Sequence, residues 1–194
     1  MNRLTKRLAL AAVAWMGVHA VTGAANDEAM GGADEATTIY SAFLTQWMGE
    51  GDSPINVATT AKAPMPDQIR QYNDCAGNGG DERIHWTTGT TDADLKRALS
   101  PIARVRLVDP DQWHPRDPHA LIAEGKSVDA AVEAGVDGGL MIFSAISFNE
   151  AHDVAMLSFS FVCGSLCGHG GAVMFNKTPS GWLQSRKQCS SWIS

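Results

Sequence analysis

The sequence lacks the short motifs by which common enzyme classes are recognised. It contains no G-x-S-x-G nucleophile elbow, no phosphate-binding loop, no dinucleotide-binding glycine fingerprint and no H-E-x-x-H metal motif. It also lacks internal repeats and low-complexity tracts. These absences remove the enzyme classes whose motifs can be read directly. The interpretation therefore depends on charge, cysteines and hydrophobic patterning.

Positive charge is scarce. The chain has 15 Lys and Arg against 21 Asp and Glu, and three of the basic residues, Arg3, Lys6 and Arg7, lie within residues 1–24, which hold no acidic residue. The remainder carries 12 positive against 21 negative residues, a formal net charge of −9. Nucleic acids and anionic membrane surfaces require basic patches, so this balance argues against both as partners. It identifies no other partner.

A hydrophobic run long enough to span a membrane is also missing. The apolar stretch from Leu8 to Val21 covers about 14 residues, against the ~20 that a spanning helix needs. Basic residues precede it, and the small residues Thr22–Ala25 follow it, which is the pattern of a secretory signal peptide. We therefore predict a signal peptide over residues 1–24, cleaved after Ala24 or Ala25. With no cysteine near this junction, the mature protein should be periplasmic or secreted, without a membrane anchor.

Four cysteines follow the predicted signal peptide: Cys75, Cys163, Cys167 and Cys189. An even number in an oxidising compartment indicates disulfides, with three possible pairings. On an extended strand the Cα atoms of Cys163 and Cys167 would lie about 13 Å apart, whereas a disulfide needs less than about 7 Å. Joining them requires a tight loop, which the glycines around them allow. Cys75 would then pair with Cys189.

Hydrophobic periodicity predicts an α+β fold. One apolar stripe at helical spacing runs from Ile39 to Met48, after a segment, residues 25–36, that we interpret as a mobile lead-in. Further helices are predicted over residues 64–72, 91–99 and 127–134, with short strands at 55–60, 83–87 and 102–108. Four strands separated by turns, residues 140–148, 154–162, 172–176 and 182–189, predict a C-terminal antiparallel meander. We expect a single domain over residues 37–194, with the N-terminal helix packed on an antiparallel sheet.

The densest feature is the segment Cys163–Gly171, which has four glycines and two cysteines within nine residues. Its part Cys163–Gly170 resembles the C-terminal region of a group of uncharacterised exported bacterial proteins, together with the segments Ser144–Asn149, Val154–Val162, Lys177–Trp182 and Trp192-Ile193-Ser194. These proteins share a C-terminal Cys-Gly-x-Leu-Cys-Gly loop, a Gly/Trp hairpin and a final Trp-x-Ser. The resemblance covers about the last 55 residues. It implies export and this fold, and it implies no activity.

Several interpretations of this loop are open. A structural disulfide with a glycine turn is the favoured one. A redox enzyme would use Cys163 or Cys167 as a reactive thiol, its pKa lowered by His169, although the spacing is CxxxC rather than CxxC. A zinc site would add His169 and either His85 or His152 to the two thiolates. A fourth interpretation has exposed backbone amides binding an anion.

We therefore expect an exported, non-catalytic domain that binds a ligand or serves in the cell envelope. We assign it no catalytic residue, no cofactor and no metal. The alternative is a thiol-dependent redox enzyme or a zinc-dependent enzyme that uses Cys163, Cys167 and His169.

Overall fold

The computed structural model describes residues 24–77, 84–187 and 189–194, and within residues 24–34 it describes the backbone alone. The predicted signal peptide, apart from Ala24, lies outside the described residues. The helices of the described part are α1 Ala24–Met48, α2 Pro66–Ala76, α3 Asp92–Leu99, α4 Pro118–Ala123 and α5 Val128–Asp137. None of these helices has both the length and the apolarity needed to cross a membrane.

Nine strands of the described residues form one sheet. They are β1 Ile55–Lys62, β2 Trp86–Thr88, β3 Val105–Val108, β4 Leu140–Ser144, β5 Ser147–Asn149, β6 Val154–Gly164, β7 Cys167–Thr178, β8 Gly181–Gln184 and β9 Ser191–Ile193. Across the sheet β3, β1, β4, β6 and β7 are successive neighbours, β2 pairs with β5 beside β6, and both β8 and β9 pair with β7. The α+β class, the N-terminal helix on the sheet and the C-terminal meander are confirmed.

The sheet is mixed rather than wholly antiparallel. β1 runs parallel to both β3 and β4, whereas the strands from β4 to β9 pair antiparallel. Parallel neighbours need crossover connections, and the chain supplies them as helices: α2 and α3 lie between β1 and β3, and α4 and α5 lie between β3 and β4. The predicted meander is antiparallel because tight turns join its strands.

The main core lies between one face of the sheet and α1. The stripe on α1 is fully or almost fully buried from Ile39 to Leu44 and partly buried at Trp47 and Met48. It packs with α3 against aromatic and aliphatic side chains of β4, β6 and β7. The helix begins at Ala24, earlier than the apolar stripe predicts, and so includes residues 25–36. Alanine, the best helix former, is frequent in that segment. Ala36 is buried in the same core.

The opposite face of the sheet is only partly covered. α2 packs on it through Tyr72 and Cys75, which contact Met156 and Ala172. Cys75 therefore lies in the last turn of α2, which continues four residues beyond the predicted end at Tyr72. Proline at the first position of this helix suits its start, where no hydrogen bond from that nitrogen is needed. The part of the face that α2 leaves open holds the site described below.

Both predicted cysteine pairings are present. Cys163 and Cys167 are joined, with Cα atoms 5.0 Å apart, and Cys75 and Cys189 are joined, with Cα atoms 5.3 Å apart. The Cys-Gly segment is a β-hairpin rather than a long loop, because Gly164 pairs with Cys167 across a two-residue turn and Cys163 forms a bulge. The bulge brings the two cysteines together. β7 consequently begins at Cys167, five residues before the predicted start at Ala172.

Candidate functional site

A groove of about 640 Å³ crosses the open face of the sheet. We call it the serine groove. Its floor is formed by Ile142, Ser144, Ser158, Ser160 and Gly171, and Phe143 and Phe159, which pack in the main core, also reach the lining. Around the floor lie Lys62, Ala63, Met65, Asp67, Gln68, Gln71, Ser190, Ser191 and Trp192. Its volume falls in the range of small-molecule binding sites in proteins, about 300–1,000 Å³.

The groove exists because small residues line this face of the sheet. Side chains of a strand alternate between the two faces. In β6, Leu157 and Phe159 are buried against α1, whereas Ser158 and Ser160 point into the groove. The same alternation places Ser144 on the groove side of β4, next to the buried Phe143. Serines fill less volume than the aliphatic side chains that would normally meet a covering helix, so the face is recessed.

A buried hydrogen-bond network holds the floor. The Tyr72 hydroxyl of α2 lies 2.8 Å from Ser158 Oγ and 3.3 Å from Ser144 Oγ. The Ser158 backbone N–H donates to Ser144 Oγ at 2.9 Å, and from the other face Tyr40 donates to the Ser144 carbonyl at 3.1 Å. Burial raises the pKa of the Tyr72 hydroxyl, which keeps it protonated. Satisfied buried networks of this kind fix one arrangement of the chain.

Trp192 forms the end of the groove at the sheet edge. β9 pairs with β7 so that Trp192 lies opposite Gly170. The indole lies across Gly168 and Gly170, and a Cβ added at Gly170 would overlap the ring. The glycines therefore allow the ring to lie flat on the strand. Trp192 remains 46% exposed, so the face of the ring turned away from β7 is open.

The side of the groove carries unused hydrogen-bond donors. Gln68 Oε1 accepts from the Met65 backbone N–H at 2.7 Å, and Gln71 Oε1 accepts from Ser190 Oγ at 2.7 Å. Each amide thus uses its oxygen, and its NH₂ group has no protein partner within the described residues. The Ser160 hydroxyl and the Lys62 ammonium likewise have no side-chain hydrogen bond or ion pair in the described part of the chain. The groove therefore offers donors to a ligand that carries acceptor oxygens.

The Cys75–Cys189 disulfide connects the two chain segments that border the groove on this side, which are α2 and the segment that precedes Trp192. It joins the last turn of α2 to the segment that leads into β9. The Ser190–Gln71 hydrogen bond adds a second link one residue later. Through these links, Gln71 and Trp192 keep their positions on the same groove.

The residues predicted from the Cys-Gly segment lie elsewhere. Cys163 is 3% exposed and bonded to Cys167. His169 stacks on Trp47, with ring centroids 5.1 Å apart, and its edge meets Phe159 on the α1 side of the sheet. No hydrogen bond joins His169 to either sulfur. The structure therefore does not bring the histidine and the cysteines together as one polar cluster.

The histidines considered as zinc ligands have other partners. His152 Nε2 lies 2.7 Å from Glu35 Oε2, and His85 lies 4.0 Å from a carboxylate oxygen of Glu150. Among the described residues, no group of three or more His, Cys, Asp or Glu side chains is placed to hold a metal ion.

A second polar cluster anchors α1 to the meander. The Glu35 carboxylate contacts His152 at 2.7 Å and Lys177 at 2.8 Å. Desolvation acts to raise the pKa of Glu35, but hydrogen bonds from Lys177 and His152, aided by their charges, outweigh it and hold the pKa below its usual value. His152 has a positive φ of 53° in the turn before β6 and stacks on Phe148. We assign this cluster a structural role.

Sequence reasoning missed the serine groove, although one local signal was present. Serines alternate with Leu157, Phe159 and Phe161 along β6, which is the period of a strand with one apolar and one small polar face. The other residues that line the groove have no local sequence signature. Gln71 and Trp192, for example, are 121 residues apart. The sequence matches no protein-family model, no curated protein and no solved structure.

Proposed function

We propose that this protein is an exported, non-catalytic domain that binds a ligand in the serine groove. The observation that carries the proposal is the set of unpaired donors around a recessed floor of small residues. The titratable side chains lining the groove are Lys62 and Asp67, and Asp67 already pairs with Arg70 at 2.5 Å. Such a set suits recognition through hydrogen bonds better than proton transfer.

Export is supported by three features of the chain. The basic, apolar and small-residue segments at residues 1–25 have the order of a secretory signal. The two disulfides are consistent with an oxidising compartment, where such bonds persist. The C-terminal segment resembles exported bacterial proteins. We place the mature protein in the periplasm or outside the cell.

A blocked groove tests the binding function. Ser160→Trp fills the floor, and Ser180→Trp, in the exposed turn between β7 and β8, is the matched control. We would screen amino acids, short peptides, oligosaccharides and fatty acids for an increase in melting temperature. A ligand should stabilise the wild type and Ser180→Trp but not Ser160→Trp. Equal stabilisation of all three proteins by every ligand found would rule out the groove as the site.

Intact-mass measurement tests export and the state of the thiols. Protein expressed with residues 1–194 would be isolated from the periplasm and alkylated before and after reduction. We expect a mass that lacks residues 1–24 or 1–25, with alkylation only after reduction. An uncleaved chain retained in the cytoplasm would contradict export. Alkylation of Cys163 or Cys167 without reductant would favour the thiol-dependent alternative.

A further inference from the structure

We infer that the serine groove binds a short oligosaccharide whose substituents bear acceptor oxygens, as carboxylate or acetamido groups, at the Lys62 end. This inference rests on the proposed function and adds the class of ligand. It follows from the juxtaposition of a flat, half-exposed indole, two free amide donors and one unpaired ammonium around a floor of serines.

The indole of Trp192 suits a sugar ring. One face of the ring lies on Gly168 and Gly170, and the other face is open beside the groove. The face of an aromatic ring carries negative charge density and attracts polarised hydrogens. A pyranose ring offers such hydrogens on its flat C–H face. Stacking then leaves the sugar hydroxyls at the ring's edge, free to meet polar groups.

The polar groups of the groove match hydroxyl and carbonyl oxygens. The NH₂ groups of Gln68 and Gln71 and the hydroxyl of Ser160 have no protein partner among the described residues. Sugar hydroxyls accept hydrogen bonds from such donors. Gln68 and Ser160 are half-buried and gain most when they are paired, whereas Gln71 is exposed. Within the described part of the chain, the ammonium of Lys62 is the charge that lines the groove without an ion pair, because Asp67 pairs with Arg70. An acceptor substituent at that end of the ligand receives a charge-assisted hydrogen bond.

The floor favours a saccharide over a peptide. An extended peptide gains affinity by adding a strand to a free sheet edge and by placing side chains in apolar pockets. In the floor, β4 and β6 are paired on both sides, so their backbone groups are already used. Ile142 is the large aliphatic side chain of the floor, among three serines and a glycine, and the exposed Met65 is the other large aliphatic side chain of the lining.

The dimensions also agree. The groove extends from β7 across β6 and β4 to Lys62 at the end of β1. Three interstrand spacings of ~4.8 Å give about 14 Å between the outer strands. A disaccharide or trisaccharide spans this distance, and the volume of about 640 Å³ accommodates it.

The indole N–H resonance of Trp192 provides a local readout by NMR. The resonance is assigned by its loss in Trp192→Phe, and the indoles of Trp47, Trp113 and Trp182 serve as internal controls. The protein, with both disulfides formed, is titrated with chitotriose, which carries acetamido groups, trigalacturonate, which carries carboxylates, and maltotriose, which carries neither. We expect chitotriose or trigalacturonate to shift Trp192, and maltotriose to bind more weakly.

Two variants test the contacts. Trp192→Phe should weaken binding by about tenfold. Lys62→Gln should weaken binding of the preferred trisaccharide by about fivefold, with little effect on maltotriose, whereas Lys126→Gln, outside the groove, should change neither. Which trisaccharide responds to Lys62→Gln decides between a carboxylate and an acetamido group.

Failure of this inference can be separated from failure of the proposed function. If no saccharide shifts Trp192 at millimolar concentration while trialanine or another screened class does, the ligand class is wrong and the binding function stands. If a saccharide binds Ser160→Trp as tightly as it binds the wild type, the site lies outside the groove and both proposals fail. Loss of the Trp192 effect in Ser160→Trp alone supports both.

Discussion

Removing each disulfide in turn tests how much each bond stabilises the fold, and in particular the bond that joins α2 to the segment before β9 beside the groove. Cys75 and Cys189 are separated by 114 positions, whereas Cys163 and Cys167 are separated by four. A cross-link stabilises a protein chiefly by restricting the unfolded chain, and the effect grows with the logarithm of the loop length. The long loop corresponds to about 5 kcal/mol and the short loop to about 2 kcal/mol.

The two variants are well matched. Cys75 and Cys163 are each buried, so replacement of either pair by alanine removes one buried sulfur and one that is partly exposed. The difference in the free energy of unfolding should then reflect loop length. In a chain of this size, 1 kcal/mol corresponds to about 2–4 °C in melting temperature. We expect C75A/C189A to melt about 10–20 °C below the wild type and C163A/C167A about 4–8 °C below it.

Guanidinium denaturation without reductant measures both losses. The free energy of unfolding by linear extrapolation should rank wild type above C163A/C167A and C163A/C167A above C75A/C189A. In C75A/C189A the Trp192 indole resonance should also broaden, because the covalent link between α2 and the segment before β9 is gone. Equal losses, or a larger loss for the hairpin pair, would refute the loop-length argument.

Three further predictions concern the floor, the indole and the second polar cluster. Tyr72→Phe leaves the two floor serines without their buried partner and should lower the free energy of unfolding by about 1–3 kcal/mol in guanidinium; an unchanged value would show that the network adds nothing. Gly170→Ala should displace the Trp192 indole and shift its N–H resonance. Gly51→Ala should leave the resonance in place, because the nearest neighbour of a Cβ added there is the end of an arginine side chain. An unmoved resonance in Gly170→Ala would contradict the packing of the indole on the strand. The folded-state pKa of Glu35 is lowered, so its contribution is complete above the unfolded-state pKa of about 4.3 and is lost as the pH falls through the lower folded-state value. Glu35→Gln should therefore flatten the loss of stability measured by denaturation between pH 5 and pH 2, and an unaltered slope would contradict the assignment.

Local patterns in the sequence were sufficient for much of the fold. The stripe from Ile39 to Met48 predicted the helix that packs on the sheet, since helical periodicity is a property of neighbouring residues. Turn residues between apolar segments predicted the meander because tight turns impose antiparallel pairing. The glycines near Cys163 and Cys167 allowed a bond between them, with Cys75 left for Cys189, but three pairings stayed open until the structure showed this one.

Other features of the fold depended on contacts that no local pattern contains. β1 pairs in parallel with β3 and β4 because the helices between these strands carry the chain back to the same end of the sheet before each strand begins. The start of α1 at Ala24 lies before the apolar stripe, in a segment where four alanines favour a helix and two glycines oppose it, so the local pattern does not fix where the helix begins. The last predicted strand, residues 182–189, ends at Gln184 as β8, and the separate strand β9 was not predicted. Both strands form because the length of β7 offers each a separate stretch of its edge.

By itself, the sequence determined the small polar face that β6 contributes to the groove floor, because the alternation of serine with large apolar residues along one strand is local. Only the tertiary structure decided that this floor is open and what surrounds it. α2 covers part of the face, and the Cys75–Cys189 disulfide brings Gln71 beside Ser190. The pairing of β9 with β7 then lays Trp192 over glycines more than twenty positions earlier in the chain. The proposed binding surface is assembled across five strands and a helix. It depends on distances between remote residues, which hydrophobic periodicity does not encode.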